Sequence, residues 1–145
     1  MSLDGVYDPG NVFARVLRGE LPAHKVYETK DALALMDLFP QSPGHVLVIP
    51  KGVEARNLLD LDPQALPSLM LAVQTVAKAV RKALNPDGVI VTQFNGAPAG
   101  QTVFHLHVHI IPRYEGTPLK GHGQSGMADA SELASLAARI ASAIE

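Results

Sequence analysis

Residues 105–111 read His-Leu-His-Val-His-Ile-Ile, placing three of the chain's six histidines at strictly alternate positions. Every residue between them is apolar. In extended backbone, successive side chains point to opposite faces, so His105, His107 and His109 share one face and Leu106, Val108 and Ile110 the other. The apolar face suits a core and predicts a strand held against it. The histidine face is then presented to something polar. A single histidine on a strand is an ordinary structural residue, which is how His24 and His122 read beside their Pro and Gly neighbours. Three in a row point to proton transfer, nucleophilic attack, anion binding or a metal, because imidazole changes charge near neutral pH.

The remaining punctuation of the chain sets the frame around this strand. Asn11 caps a short helix over residues 12–18, stopped by Gly19. Residues 25–29 and 32–38 read as two strands joined as a hairpin at Lys30-Asp31. Pro40-Gln-Ser-Pro-Gly44 is turn chemistry, and His45–Ile49 is an apolar run of strand length ended by Pro50. Asp62-Pro63 opens a helix. Its stripe of Leu66, Leu69, Val73, Val76 and Val80 runs to about Leu84, with an irregular first turn because Pro67 lacks a backbone donor. Residues 89–94 and 103–111 are the fourth and fifth strands, with a Gly- and Ala-rich loop between them. Residues 112–127 form an irregular, mobile segment. Asp129 and Glu132 resemble a capping box that opens an Ala-rich helix to Ile144, whose stripe of Leu133, Leu136, Ile140 and Ile144 docks on the domain or on a second subunit. Consecutive strands with short turns pair antiparallel. The expected fold is therefore α+β: a five-stranded, mostly antiparallel sheet with one long helix packed on it, plus short N-terminal and C-terminal helices.

A chain of 145 residues with 47% apolar and 18% charged residues is globular in composition. A formal net charge of -2 argues against a nucleic-acid binder, which needs a basic surface. The lack of cysteine removes disulfides, thiolate metal ligands and a cysteine nucleophile. No run approaches the ~20 apolar residues of a membrane span, and no signal peptide is visible, so a cytoplasmic location is expected.

Neutral imidazole is a good nucleophile toward phosphorus and a good leaving group from it, so a histidine row suits transfer through a covalent phospho-histidine. Such a reaction needs one nucleophile, a partner for its other ring nitrogen, and donors for the phosphoryl oxygens. His107, flanked on both sides, is the nucleophile by position. Gln101 and Thr102, just upstream, carry polar groups able to hold phosphate oxygens. Gly96 and Gly100 allow the backbone to approach a phosphate closely.

This combination resembles the histidine triad (HIT) family of nucleotide hydrolases and transferases, whose signature is His-φ-His-φ-His-φ-φ with φ apolar. Residues 105–111 fit it at every position. The resemblance extends through Gly100-Gln101-Thr102-Val103, residues 37–51 and Arg18-Gly-Glu-Leu-Pro22, and spans roughly residues 11–114. It favours the Hint-like branch found in many bacteria and implies a single HIT domain over 1–145, with residues 115–145 an appended segment and helix. It implies a homodimer with a continuous sheet, and purine nucleotide substrates such as AMP or GMP conjugates. It also implies transfer through a nucleotidyl-histidine on His107. His109 would contact the phosphate and assist the leaving group, and His105 and His45 would form the hydrogen-bond network behind them. Gln101 and Thr102 match phosphate contacts, and Asp37 the acid that binds ribose hydroxyls. Val12, Phe13, Leu35 and Leu38 match the apolar cleft around the base, where a plain core role is an equal alternative.

Two departures stand out. Many bacterial relatives carry a zinc-binding Cys-x-x-Cys pair where this chain has Asn11 and Ala14, so no metal and no cofactor are expected. Many carry two adjacent asparagines before the loop glycine; here the pair is Phe94-Asn95, and Asn95 alone is left for a ribose or loop-ordering contact. Alternatives to a phosphoramidate hydrolase are a dinucleoside polyphosphate hydrolase of the same family, a zinc site built from two strand histidines with His45, and a nucleotide-binding interaction protein with incidental turnover.

Overall fold

Short apolar and alternating runs between turn residues build one sheet of five strands, in which every pairing is antiparallel. The computed structural model describes residues 3–121 and 126–145. Asn11 accepts a hydrogen bond from the Ala14 N–H (2.9 Å) and opens α1 (Val12–Leu17). Strands β1 (Lys25–Glu28) and β2 (Ala32–Met36) form the expected hairpin, and β3 (Val46–Pro50) pairs with β2 over its full length. Asp62 caps a short 3₁₀ turn at Pro63–Ala65 that leads into α2 (Leu66–Leu84). This is the irregular entry that Pro63 and Pro67 enforce. Asn85 ends α2 in the left-handed conformation, with φ 48°. Strand β4 (Gly88–Thr92), β5 (Val108–Arg113) and α3 (Ala130–Ser142) complete the order. The sheet runs β1-β2-β3-β5-β4, so the long helix α2 and β4 lie between neighbours β3 and β5 in sequence.

Alternation sorts the strand residues onto two faces. Ala32, Ala34, Met36, Val46, Val48, Val108 and Ile110 pack with Leu69, Val73, Val76 and Val80 of α2 and with Leu133 and Ile140 of α3. Val76 and Val80 are fully buried, each contributing roughly 1.5–3 kcal/mol over an exposed position. Leu33, Leu35, Leu47 and Ile49 face the other way, onto Phe13 and Val16 of α1. His109 pairs with Leu47 across β3–β5, which puts its side chain on the α1 face. The C-terminal helix docks on this chain's own α2, β1 and β2.

The fifth strand begins later than its pattern predicts, at Val108 instead of Val103. The next rung of the β3–β5 ladder after Val48↔Val108 would need a donor from Pro50, which has none. The chain leaves the ladder there: the Leu106 N–H bonds to the Ala55 carbonyl (2.9 Å), His105 closes a bend, and His107 lies just ahead of the strand. At the other end β5 runs on through Pro112 and Arg113, which pair with Val89 and Gly88. The other strands and α3 end within two residues of their expected limits. The capping box at Asp129 is half formed: its carboxylate accepts the Glu132 N–H (3.2 Å) and the Ser131 hydroxyl. Residues 114–121 and 126–129 carry no helix or strand, whereas His122 and the middle of the expected mobile segment lie outside the described residues. Among the described residues, no helix is long and apolar enough to cross a membrane.

Candidate active site

The α1 face of the sheet is not filled. A cavity of about 390 Å³ opens between α1, the 35–39 segment and the triplet. Val12, Phe13, Leu35 and Leu38 line it as expected, joined by Val16 and Phe39. Asp37, Thr102, His107 and His109 bring the polar groups. Among the described residues that line it, none is a lysine or arginine.

The hydrogen bonds assign each histidine a tautomer. The His107 Nδ1 lies 2.7 Å from the His105 carbonyl oxygen, which only accepts. Nδ1 therefore carries the proton, and Nε2 holds the lone pair. In His45, Nδ1 accepts the Gln41 backbone N–H (3.0 Å), so Nε2 carries the proton and donates it to His109 Nδ1 at 2.9 Å. His109 Nδ1 is thus an acceptor and its Nε2 bears the N–H. The His107 and His109 rings lie 5.1 Å apart edge to face. The cavity lining thus includes one ring with an unprotonated Nε2 beside a ring with a protonated one.

His105 is fixed in the same way. Its Nε2–H donates to the Pro50 carbonyl (3.1 Å), and its Nδ1 accepts the Tyr7 hydroxyl (2.7 Å). Burial pushes its pKa down to about 4, with a further lowering from nearby His107 and a partial offset from the Pro50 bond. His105 is 1% exposed and does not line the cavity; it shapes His107 from behind.

The acid missing from the neighbourhood of the triplet in sequence arrives through the fold. The turn between β2 and β3 sets Asp37 Oδ2 3.4 Å from His45 Nε2, while Oδ1 accepts the Phe39 N–H (2.8 Å). Asp37, His45 and His109 offer ligand atoms within 4.8 Å of one another. The donor set fits a metal poorly. A neutral histidine that ligates through Nε2 keeps its proton on Nδ1 and donates it, but here the Gln41 N–H points at His45 Nδ1. His45 and His109 form a hydrogen-bonded pair with the Asp37 carboxylate beside it.

Gln101 and Asn95 lie outside the cavity lining, and both order loops, which is one of the two roles expected of Asn95. The Gln101 Oε1 accepts the Gly96 N–H (2.8 Å), and its Nε2 donates to the Arg56 (2.6 Å) and Val103 (3.1 Å) carbonyls. Its amide is thereby committed to closing the 96–101 loop. The Gly100 N–H is likewise taken, by the Ala97 carbonyl. The Asn95 Oδ1 accepts from the Leu58 N–H (3.1 Å) and from Gln93 (2.9 Å), tying that loop to residues 57–60. Thr102 is exposed at the cavity mouth. Tyr7, and the Gln41 and Pro50 backbone groups, had no signal in the sequence: they act through main-chain atoms or from a segment with no periodic pattern.

The HIT domain family model matches residues 18–116. Protein hit of Bacillus subtilis is 39% identical over 103 residues, covering 71% of this chain and 70% of that protein. Adenylylsulfatase HINT3 of Arabidopsis thaliana is 39% identical over 104 residues, 72% of this chain and 52% of that protein. Among solved structures, a Hit-like protein involved in cell-cycle regulation from Bartonella henselae, with unknown ligand, superimposes with a TM-score of 0.88 at 47% identity, covering 96% of this chain and all of that one. The sheet, the triplet and these similarities agree: the chain belongs to the HIT family and thereby to a superfamily of nucleotide-binding hydrolases and transferases.

Proposed function

We propose that this protein hydrolyses purine nucleoside phosphoramidates or similar nucleotide conjugates at the α-phosphate, through a covalent nucleotidyl group on His107. The observation that carries this reading is the pair of tautomers on the cavity wall: a lone pair on His107 Nε2 beside an N–H on His109 Nε2. In the first step Nε2 bonds to phosphorus as the P–N bond of the substrate breaks. The amine leaves with the electron pair and takes a proton from water. His109 N–H donates to a phosphoryl oxygen, where charge builds up. Water then attacks phosphorus and gives its proton to the hydroxide left by the first step, the bond to His107 breaks with its electron pair returning to Nε2, and the nucleoside monophosphate leaves. The His105 carbonyl stabilises the positive charge that His107 gains on bonding, because it accepts the Nδ1–H throughout.

The base fits between Val12, Phe13, Leu35 and Leu38, and Asp37 stands where it can accept from ribose hydroxyls. The lack of lysine and arginine in the lining favours a substrate with one phosphoryl group over a dinucleoside polyphosphate, whose chain of charges wants cations. A homodimer agrees with β4 at the sheet edge, where Val91 is 47% exposed. The test is hydrolysis of an adenosine 5′-phosphoramidate and a dinucleoside polyphosphate by wild type and His107→Ala. Turnover of the phosphoramidate, lost in the variant while nucleoside monophosphate still binds, is expected. A preference for the polyphosphate, or an active His107→Ala protein, would overturn the reading.

A further inference from the structure

Tyr7 lies outside residues 18–116 that match the family model, on a segment without helix or strand, yet it reaches the back of the triplet. Its hydroxyl is 2.7 Å from His105 Nδ1, and the two rings meet edge to face at 5.8 Å. His105 is otherwise enclosed: Nε2 is taken by the Pro50 carbonyl, and Phe13 stands edge-on at 6.3 Å. The Tyr7 hydroxyl is therefore the donor that satisfies the second nitrogen of a buried ring, and an unsatisfied buried acceptor is costly. The carbonyl of that same residue receives the His107 Nδ1–H. Residues 105–107 have left the ladder, and two ties hold this carbonyl: the Leu106 N–H of the same planar peptide unit bonds to the Ala55 carbonyl, and the ring bonds of His105 anchor the residue that carries it.

We propose that Tyr7 is a positioning residue for the nucleophile: by donating to His105 Nδ1 it anchors the side chain of the residue whose carbonyl receives the His107 Nδ1–H, and so works with the Leu106–Ala55 bond to keep the lone pair of His107 toward the substrate. The proposal rests on His107 being the nucleophile. Tyr7 does not line the cavity, so its effect falls on the chemical step and not on substrate affinity.

The test has two arms. On the resting protein, ¹⁵N spectra of the histidine rings are compared between wild type and Tyr7→Phe, which keeps the ring contact. The His105 Nδ1 resonance is expected to move toward that of a free acceptor nitrogen, and the His107 resonances to move with it. In the kinetic arm, Tyr7→Phe is expected to lower kcat by about three- to tenfold at unchanged KM, the worth of one neutral hydrogen bond. In a His105→Gln background the same substitution is expected to change kcat little. Unmoved His107 resonances, or equal losses in both backgrounds, would overturn the proposal. A wild-type protein with no turnover would refute the proposed activity instead, and the spectra then decide the role of Tyr7 alone.

Discussion

Acidification should weaken this protein through one residue whose contribution can be isolated. His105 is 1% exposed, with Nε2–H on the Pro50 carbonyl and Nδ1 under the Tyr7 hydroxyl. Protonating it means placing a second N–H where a donor already points, in a site that cannot hydrate the charge. The folded pKa is accordingly about 4, against an ordinary 6.5. Between these values the unfolded chain binds the proton and the folded chain does not. The stabilisation is thus present above pH 6.5, falls as the pH is lowered, and is gone below about 4. At about 1.4 kcal/mol per pH unit the full window amounts to roughly 3 kcal/mol, of which about 2.5 kcal/mol is lost by pH 4.5. Urea unfolding at pH 7 and pH 4.5 measures it, in wild type and in His105→Gln, where the group cannot titrate. The carboxylates and other histidines contribute alike to both proteins, so the extra loss in wild type should be close to that figure. Equal acid losses in the two proteins would refute the buried, neutral His105.

Two further predictions concern packing and assembly. Gly44 has φ +95°, and a Cβ there would run into Leu84 and Pro112, so Gly44→Ala should cost about 2–4 kcal/mol in unfolding free energy; a loss under about 0.5 kcal/mol would show that the turn before His45 adjusts freely. If the β4 edge joins two copies, sedimentation of wild type should give a dimer, and Val91→Glu, at a 47% exposed position, should shift it toward monomer without disturbing the fold; a wild-type monomer would contradict the dimer.

Much of this architecture was legible because period and punctuation agree. The short apolar runs at residues 32–36 and 46–50, the α2 stripe and the caps at Asn11 and Asp62 each point to the element that forms. The triplet's shared face was legible for the same reason, even though only His109 of the three lies within β5. What could not be read was set by groups that carry no side-chain signature. Pro50 ends the ladder before His105 by lacking a donor, and its carbonyl then anchors His105. The Gln41 N–H decides the tautomer of His45 and so argues against a metal at that cluster. The resemblance gives Asp37 a ribose contact and His45 a place in the histidine network, but only the β2–β3 pairing brings the two to 3.4 Å. Gln101 looked free to hold a phosphate because nothing in the sequence shows that three backbone groups occupy its amide.

The most direct test of the mechanism is the covalent species itself. Wild-type protein mixed with an adenosine 5′-phosphoramidate and quenched in the first turnovers should gain the mass of one adenylyl group, located by peptide mapping on His107. The same adduct on another residue, or turnover with no adduct at any quench time, would contradict His107 as the nucleophile.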